Sequence, residues 1–390
     1  MHKWSQCDMV RYHHPLQKSI CINMNKSSKI KEHFYWLDAL RFIAAFMVLL
    51  SHSRNTFFPE YGALPAEQHN ILTMAFTMFC RMGHEAVIIF FVLSGFLVGG
   101  RGFERIQAGT MNVKSYAIDR FSRIYPPLLA AIIFCGISVY VTGETYCTNF
   151  TWQNALGNIL NLQGICCKSV VSPFWSLSYE VWFYIILRAL AVLLMTNNHH
   201  TKISSLLVFV ATVSVFVLGL KMHYLLIWMM GAVAYVARTK QKNRWVLILS
   251  FIGFFAGVIY YQLSKDTHAI SFAIKGANVE FTELFMSVMA CLMIQQMILF
   301  EPQSKIAKAV ERTIGNMAKF SYTLYLSHRI VFLWIIAYLW SVSSCDFSLK
   351  GLSMYLATIF ISLFVCWLIY LVSERFSPQI KKYLKAKLLK

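Results

Sequence analysis

Long apolar blocks alternate with short polar and basic segments along almost the whole chain. Ten blocks hold about 17–25 mostly apolar residues, the length that a helix needs to cross roughly 30 Å of hydrocarbon. They predict transmembrane helices over 36–53, 72–99, 124–142, 174–196, 204–220, 222–237, 245–263, 282–300, 320–341 and 351–373. The second block is long, so we expect it to tilt or to break near Arg81–Gly83. The alternation typical of barrel strands is absent, and the predicted fold class is an all-α membrane bundle of about ten helices.

The basic residues are distributed unevenly between the two sets of alternate loops. Of the 36 Lys and Arg, 27 fall in the N-terminal tail and every second loop, and six fall in the other loops. Because basic loops stay in the cytoplasm, this asymmetry predicts a multi-pass membrane protein with both termini in the cytoplasm. It also predicts a poorly ordered cytoplasmic tail over 1–35, a transmembrane domain over 36–373 and a basic, membrane-surface tail over 374–390.

Composition supports lipid as the solvent for the apolar blocks. The chain is 57% hydrophobic and 14% charged, against about 45–50% and 25% in soluble domains. The net charge of +19 does not predict nucleic-acid binding, because the basic residues form clumps between apolar blocks rather than one face. No Cys-x-x-Cys or His-x-x-x-His spacing points to a metal site. Cys147, Cys166 and Cys167 share a predicted outward loop, where one disulfide is compatible with an oxidising compartment.

Ionisable residues inside the apolar blocks are the first candidates for function. A charge at mid-bilayer costs about 2.5–3.5 kcal/mol or more, so such residues usually bind, catalyse or pair with one another. The candidates are Asp38, Arg41, His52, Arg81, His84, Glu85, Glu180, Arg188, His328 and Arg329. The adjacent pairs His84-Glu85 and His328-Arg329 are interpreted as structural before chemical.

His52 and Glu180 are the strongest catalytic candidates. His52 follows Arg41 by eleven residues, about 16 Å along a helix, which puts it in the outer half of the membrane. Glu180 falls within the first two turns of a helix entering from outside, so the two side chains are expected at similar depth. A histidine beside a carboxylate suits general-base catalysis. The alternative is an interfacial His52 and a Glu180 that pairs with an arginine for stability.

Two further features carry weaker signals. Arg120 and Arg123, spaced i and i+3, direct two guanidinium groups to one side of a helical turn, which suits phosphate binding. The preference for basic residues in cytoplasmic loops explains the same pair without a ligand. Ser94-Gly95 interrupts an apolar stretch and favours close helix packing. Since no Gly-x-Ser-x-Gly elbow is present, a serine nucleophile is not supported.

Taken in order, five short motifs resemble those of the acyltransferase 3 family, integral membrane O-acyltransferases of bacterial glycans. The motifs run from residue 37 to about 330. They are Leu37-Asp38-x-x-Arg41 with His52 eleven residues on, Gly83-x-x-x-Val87-x-x-Phe90-Phe91-x-x-Ser94-Gly95-Phe96, Arg120-x-x-Arg123-x-Tyr125-Pro126, Phe174-Trp175-Ser176-Leu177-Ser178-Tyr179-Glu180-x-x-Phe183-Tyr184 and Ser321-Tyr322-x-x-Tyr325-Leu326-x-His328.

The resemblance implies an O-acyltransferase that moves an acyl group, most often acetyl, from acyl-CoA to a sugar hydroxyl of a cell-surface or exported polysaccharide. It implies no permanently bound cofactor, with acetyl-CoA as the donor substrate. The implied partners are a glycan or lipid-linked sugar acceptor and membrane lipid. The implied location is the inner (cytoplasmic) membrane. Some relatives carry a fused extracytoplasmic esterase domain; this chain has no room for one after residue 373, so we expect any second transfer step to need a separate protein.

The resemblance also assigns roles to residues. His52 corresponds to the catalytic histidine, Glu180 to the acidic motif position that we expect to orient it, and Arg120 with Arg123 to the acyl-donor site. Arg41 is a candidate for stabilising oxyanion charge or donor phosphates. Ser94 and His328 are supporting candidates, and His328 has no defined role.

The histidine acts in this hypothesis either as a general base or as a covalent acyl relay. The competing interpretation is a transporter or exporter of a lipid-linked or small sugar, which would use the same buried polar residues for binding alone. The chain shows no visible inverted repeat of the kind typical of transporters.

Overall fold

A computed structural model describes residues 35–142, 149–265, 278–300, 304–340 and 347–389. Within those ranges the chain forms fifteen α-helices and no strand. They are α1 (Tyr35–Phe57), α2 (Ile71–Cys80), α3 (Gly83–Ser94), α4 (Arg101–Gln107), α5 (Val113–Thr142), α6 (Trp152–Ile159), α7 (Trp175–Met195), α8 (His199–Leu218), α9 (Met222–Val236), α10 (Arg244–Lys265), α11 (Val279–Met297), α12 (Lys305–Met317), α13 (Ser321–Trp334), α14 (Leu349–Leu371) and α15 (Ser377–Leu388). The all-α prediction is confirmed.

Eight stretches of the described residues are helical, long and apolar enough to span a bilayer, against the ten that the sequence predicts. The difference concerns two predicted spans that are helical but are too short or too polar to count as spanning helices. The span predicted over 222–237 is the 15-residue α9, too short for the 17 or more residues that a crossing helix needs. The span predicted over 282–300 is α11, whose first turns carry Glu280 and Glu283 and lower its hydropathy.

The predicted break in the second span is present. α2 ends at Cys80, and α3 begins at Gly83. Asn70 starts α2, because its side-chain oxygen accepts hydrogen bonds from the backbone N–H groups of Leu72 and Thr73 at 3.0 and 3.1 Å. Side-chain oxygens at helix N-termini satisfy donors that have no partner within the helix. The break places Arg81 between the two helices and His84 in the first turn of α3.

Burial separates a central helix from peripheral ones. In the most apolar stretch of α1, 67% of the residues are buried, whereas only 17% of those in α8 are. The outward side chains of α8 are themselves apolar, including Leu206, Leu207 and Val210. Apolar side chains on the outside of a bundle suit a lipid environment. α1 therefore brings its polar residues into the interior of the protein.

α3 and its continuation contact α9 backbone to backbone. Residues Gly95–Gly100 continue α3 as a π-helix. A Cβ atom at Gly95 would collide with the carbonyl of Trp228, and one at Gly231 with the carbonyl of Val92. Small residues allow helices to approach this closely, so the prediction that the Ser94-Gly95 step serves helix packing agrees with the structure.

The segments outside the predicted spans contain helices as well. The loop predicted over 301–319 contains α12, whose residues are all at least partly exposed. The segment predicted as a basic surface tail contains α15, which contacts α5. Two of its lysines, Lys381 and Lys385, lie 3.1 and 2.7 Å from Asp119. The tail predicted over 1–35 lies, except for Tyr35, outside the described residues.

Candidate active site

The interior of the bundle contains a histidine pair. Nδ1 of His52 on α1 lies 2.8 Å from Nε2 of His328 on α13. The two rings are nearly parallel, with centroids 5.1 Å apart. His328 is fully buried, and its Nδ1 lies 2.8 Å from the carbonyl oxygen of Leu324. The sequence predicts both histidines as candidates, but not their contact.

This geometry fixes the tautomer of both neutral rings. A carbonyl only accepts hydrogen bonds, so Nδ1 of His328 carries a proton and donates it to Leu324. Nε2 of the neutral His328 then holds a lone pair and accepts the N–H at Nδ1 of His52. Nε2 of His52 is consequently the basic nitrogen. His328 is thus placed to orient the ring of His52, in the position that the carboxylate occupies in a catalytic triad.

Glu180 is not the residue that the structure shows hydrogen-bonded to His52. Its carboxylate accepts a short hydrogen bond from the Tyr184 hydroxyl, one helical turn further along α7. It also lies within electrostatic range of Arg41 and Arg123. The expectation that Glu180 orients His52 is therefore replaced by the histidine pair, and the alternative, a Glu180 associated with arginines, agrees with the contacts found.

The arginines predicted as the donor site converge. The Arg120 guanidinium lies over the rings of Tyr116 and Tyr184, at 5.8 and 5.4 Å from their centroids. Its Nε is buried and makes no hydrogen bond among the described residues. Arg123 lies within electrostatic range of Arg41. Together Arg41, Arg120 and Arg123 form an arginine cluster with Glu180 beside it.

Arg41 is held at the far end of α1 from the histidine pair. Its guanidinium forms an ion pair with Asp38 at 2.7 Å. The eleven residues between Arg41 and His52 correspond to about 16 Å of helix. Of the two roles predicted for Arg41, this position favours contact with donor phosphates over stabilisation of charge next to His52.

Two proline residues shape the helix that carries the arginine cluster. Pro126 and Pro127 lie inside α5, directly after the Arg-x-x-Arg motif. Proline has no N–H, so the carbonyls of Ser122 and Arg123 lose their helical donors. The helix therefore carries two arginine side chains and two carbonyls without helical donors within the same turn.

Glu374 belongs to the same region and is missed by the sequence analysis. Its carboxylate accepts hydrogen bonds from the backbone N–H and the hydroxyl of Thr323 at 2.9 and 2.8 Å. It also lies within electrostatic range of Arg41 and Arg123. The last predicted span ends at residue 373, so Glu374 is assigned to the surface tail and escapes the search for charges in apolar blocks.

Ser94, a supporting candidate, joins two helices to the arginine cluster. Its Oγ accepts a hydrogen bond from Nε1 of Trp228 at 3.2 Å and lies 3.3 Å from the Tyr184 hydroxyl. The chain of contacts continues from Tyr184 to Glu180. Ser94 therefore positions the side chains around the cluster, which agrees with a supporting role rather than a nucleophilic one.

A cavity of about 490 Å³ adjoins the histidine pair. Its wall includes His52, the aromatic residues Trp175 and Tyr325, and the amide of Asn55. The Tyr325 hydroxyl donates to the carbonyl of Pro173 at 3.1 Å, which fixes this wall to the start of α7. The volume lies within the range of small-molecule sites, about 300–1,000 Å³, and the basic histidine is part of its lining.

A second buried cluster lies along the cavity. His84, which lines it, has Nε2 at 2.8 Å from one carboxylate oxygen of Glu283. Nε2 of His223 lies 2.8 Å from the other oxygen, a distance typical of an ion pair although the N–H direction is off line for a hydrogen bond. Glu283 and His223 lie at the ends of two predicted spans, so the search for charges in apolar blocks could have found both.

The remaining ionisable candidates make local contacts. Arg81 lies 3.7 Å from Glu60, which also receives a 2.8 Å hydrogen bond from Arg54. The Arg329 guanidinium lies over the ring of Phe332 at 5.0 Å. Arg81 and Glu60 also line the cavity and place charges of both signs in its wall. The contact of Arg329 with Phe332 agrees with a structural role.

The structure bears on the expectations about metal binding and the disulfide only where the residues are described. Among the described residues, no group of three or more His, Cys, Asp or Glu side chains could hold a metal ion. Cys166 and Cys167 carry free thiols, and Cys147 lies outside the described residues.

Similarity to known proteins extends over nearly the whole bundle. The family model described as "Acyltransferase domain" matches residues 34–371. A stretch of 127 residues is 27% identical to a protein of Haemophilus influenzae (strain ATCC 51907 / DSM 11121 / KW20 / Rd) that carries the description "Uncharacterized protein". That match covers 30% of this chain and 52% of the relative, so the chain spans about half the length of the curated relative. No solved structure matches the chain.

Proposed function

The chain belongs to the acyltransferase 3 family, and we propose that it transfers an acyl group, acetyl in the first instance, from acyl-CoA to a sugar hydroxyl. The acceptor is a cell-surface or exported polysaccharide or its lipid-linked precursor. The observation that carries this proposal is the histidine pair: its hydrogen bonds leave the lone pair of His52 at Nε2, and His52 lines a cavity large enough for a substrate.

The donor is proposed to bind at the arginine cluster. Coenzyme A carries phosphate groups, and guanidinium groups bind such oxyanions through two parallel hydrogen bonds. Arg120 has a buried Nε that makes no hydrogen bond to the described residues, and Arg41 and Arg123 lie within electrostatic range of each other. The charge distribution of the sequence predicts that this end faces the cytoplasm, the compartment that supplies acyl-CoA.

The acceptor is proposed to reach His52 through the cavity. Nε2 of His52 takes the proton of the sugar hydroxyl while the hydroxyl oxygen attacks the thioester carbonyl carbon. A C–O bond forms, the C–S bond breaks, and the thiolate of coenzyme A takes the proton back from His52. During this step Nε2 of His328 accepts the N–H of the His52 imidazolium, which lowers the energy of the charged state.

The pantetheine arm of coenzyme A is proposed to span the distance between the arginine cluster and His52. Arg41 and His52 lie about 16 Å apart along α1. On α7, Glu180 lies between Trp175, which lines the cavity, and Tyr184, which contacts Arg120. This order along the bundle supports a donor that enters from one end and an acceptor that enters from the other.

The test uses purified protein in detergent with acetyl-CoA labelled in the acetyl group, with and without a total glycan extract from the host. We expect the label to move to glycan with release of coenzyme A thiol, and to stop moving in His52→Ala. The exposed His199 provides the matched control, because His199→Ala should transfer at the wild-type rate. Transfer by folded His52→Ala at the wild-type rate would contradict the proposal.

The same assay separates direct transfer from a covalent relay. If His52 itself takes the acyl group, labelled protein accumulates when the glycan is left out. Direct transfer predicts no labelled protein under those conditions.

A further inference from the structure

The cavity has a polar wall that the proposed reaction does not use. This wall consists of His84, Glu85 and Gln262. All three come from helices other than the one that carries His52: His84 and Glu85 from α3, and Gln262 from α10. Glu85 and Gln262 are 1% and 4% exposed, so these polar groups are removed from solvent.

His84 is held in a fixed orientation. Its ring is parallel to that of Tyr261 at 5.2 Å and nearly parallel to that of Trp175 at 6.2 Å. A carboxylate accepts hydrogen bonds, so the 2.8 Å contact with Glu283 places the proton of the neutral ring on Nε2. Nδ1 is then an acceptor. Because the other oxygen of Glu283 is held by His223, the carboxylate cannot follow a movement of His84 without giving up a second contact.

Gln262 presents a second acceptor. Its Nε2 donates both hydrogens, to the Met78 carbonyl at 3.1 Å and to Glu85 at 3.1 Å. Those two bonds fix which end of the amide is oxygen. Oε1 is buried and makes no hydrogen bond to the described residues. Buried polar atoms nearly always have a hydrogen-bond partner. A ligand in the cavity that donates a hydrogen bond would satisfy Oε1 of Gln262.

The wall therefore carries acceptors almost exclusively: Nδ1 of His84, Oε1 of Gln262 and the carboxylate of Glu85. Its complement is a molecule with several O–H donors. Trp175 and Tyr325 supply aromatic surface to the same cavity, which suits the apolar face of a sugar ring. Arg81 and Glu60 also line the cavity and lie 3.7 Å apart, so their charges offset each other. An acidic sugar would bring its negative charge next to the carboxylate of Glu85, and like charges brought together out of water repel strongly.

We propose that His84, Gln262 and Glu85 form the acceptor-recognition wall of the cavity and select an uncharged sugar ring, through its hydroxyl donors, for acylation at His52. This inference rests on the function proposed above. Glu283 and His223 act as positioning residues, since they hold the His84 ring but lie behind it. The wall determines which sugar is bound, while His52 determines whether it reacts.

The experiment measures binding and transfer separately. Saturation-transfer NMR on the detergent-solubilised protein uses methyl glycosides of glucose, galactose, mannose and N-acetylglucosamine as neutral probes. Methyl glucuronide and methyl galacturonide are the acidic probes. We expect at least one neutral glycoside to bind and neither uronide to do so. Acetyl transfer from acetyl-CoA is then followed with the bound glycoside and with 2-propanol, an alcohol that offers no further hydroxyl to the wall.

Two conservative variants keep the size of the side chains. His84→Phe retains a planar ring between Tyr261 and Trp175 but loses the acceptor Nδ1 and the N–H that faces Glu283. Gln262→Met keeps the length of the side chain without the amide. We expect each to raise the KM for the bound glycoside about tenfold or more, with kcat and transfer to 2-propanol within about threefold of wild type. Gln241→Met, at an exposed position, is the control and should leave both unchanged.

The outcomes distinguish this inference from the proposed function. Preferential binding of a uronide, no binding of any neutral glycoside by protein that acylates 2-propanol, or an unchanged glycoside KM in both variants would each overturn the recognition wall and leave acyl transfer intact. Wall-dependent binding of a neutral glycoside without any acetyl transfer would support the wall and overturn the acyltransferase. If either variant fails to fold, the other carries the test, and elution on size exclusion with an unchanged Tm identifies folded protein.

Discussion

The role assigned to His328 leads to a quantitative prediction. His328→Phe replaces one buried ring by another of similar size, so packing against Phe332, whose ring lies 6.4 Å away, is largely kept. The variant loses Nε2, which accepts the N–H of His52 at 2.8 Å. His52 is then free to adopt the other tautomer, and its imidazolium loses a hydrogen bond.

The size of the effect follows from that one interaction. A hydrogen bond to a charged group contributes about 1.5–3 kcal/mol, and 1.36 kcal/mol in the activation free energy is a tenfold change in rate. We therefore expect kcat to fall about 10- to 150-fold in His328→Phe. The KM for acetyl-CoA should stay within about threefold of wild type, because the donor phosphates are proposed to bind at the other end of α1.

His328→Gln tests whether the lost acceptor is the cause. The amide oxygen of glutamine can accept the N–H of His52, so this variant should recover part of the lost kcat. The assay is initial-rate thiol release from acetyl-CoA with the host glycan extract, on protein checked by size exclusion. His69→Phe, at an exposed position, is the matched control. A kcat within twofold of wild type in folded His328→Phe would refute the assigned role, and so would a His328→Gln no faster than His328→Phe.

Three further predictions concern the donor site and the packing of the bundle. Arg120→Gln should raise the KM for acetyl-CoA about tenfold and leave the acceptor KM unchanged, whereas Arg312→Gln, on the exposed helix α12, should change neither. Glu374→Ala removes the acceptor of two hydrogen bonds, and thermal unfolding in detergent should show a loss of about 1–3 kcal/mol; an unchanged Tm would contradict this contact. Gly231→Val should abolish a monodisperse elution profile, because its side chain meets the backbone of α3, while Gly315→Val, with open space around the Cβ position, should elute like wild type.

Much of the fold follows from hydropathy alone, because each span is a local property of about twenty residues. The break at Arg81–Gly83 was predictable, since charged and small residues interrupt an apolar block there. The short helices α4 and α6 and the exposed helix α12 were missed, since their sequences are too polar or too short to appear as apolar blocks. The ten predicted spans became eight for a similar reason: α9 and α11 fall just below the length or hydropathy of the others.

For the candidate active site, motifs and spacing predict which residues take part but not which of them are in contact. Motifs identify His52, Glu180 and the arginines, and spacing gives their depth along each helix. Depth does not determine which way a helix is rotated, and 276 residues separate His52 from His328. A prediction based on depth pairs His52 with Glu180, whereas packing turns Glu180 towards Tyr184 and the arginines. Glu374 was missed because it lies one residue beyond the end of a predicted span. Glu283 lies inside the predicted span 282–300, so the search for charges in apolar blocks could have found it.

The most direct test of the account is an experimental structure of the His52→Gln variant with bound acetyl-CoA. The account predicts phosphate groups in contact with Arg120 and Arg123 and the thioester carbonyl next to position 52, with the cavity open to it on the other side. A donor whose phosphates bind away from both arginines, or whose thioester does not reach position 52, would contradict it.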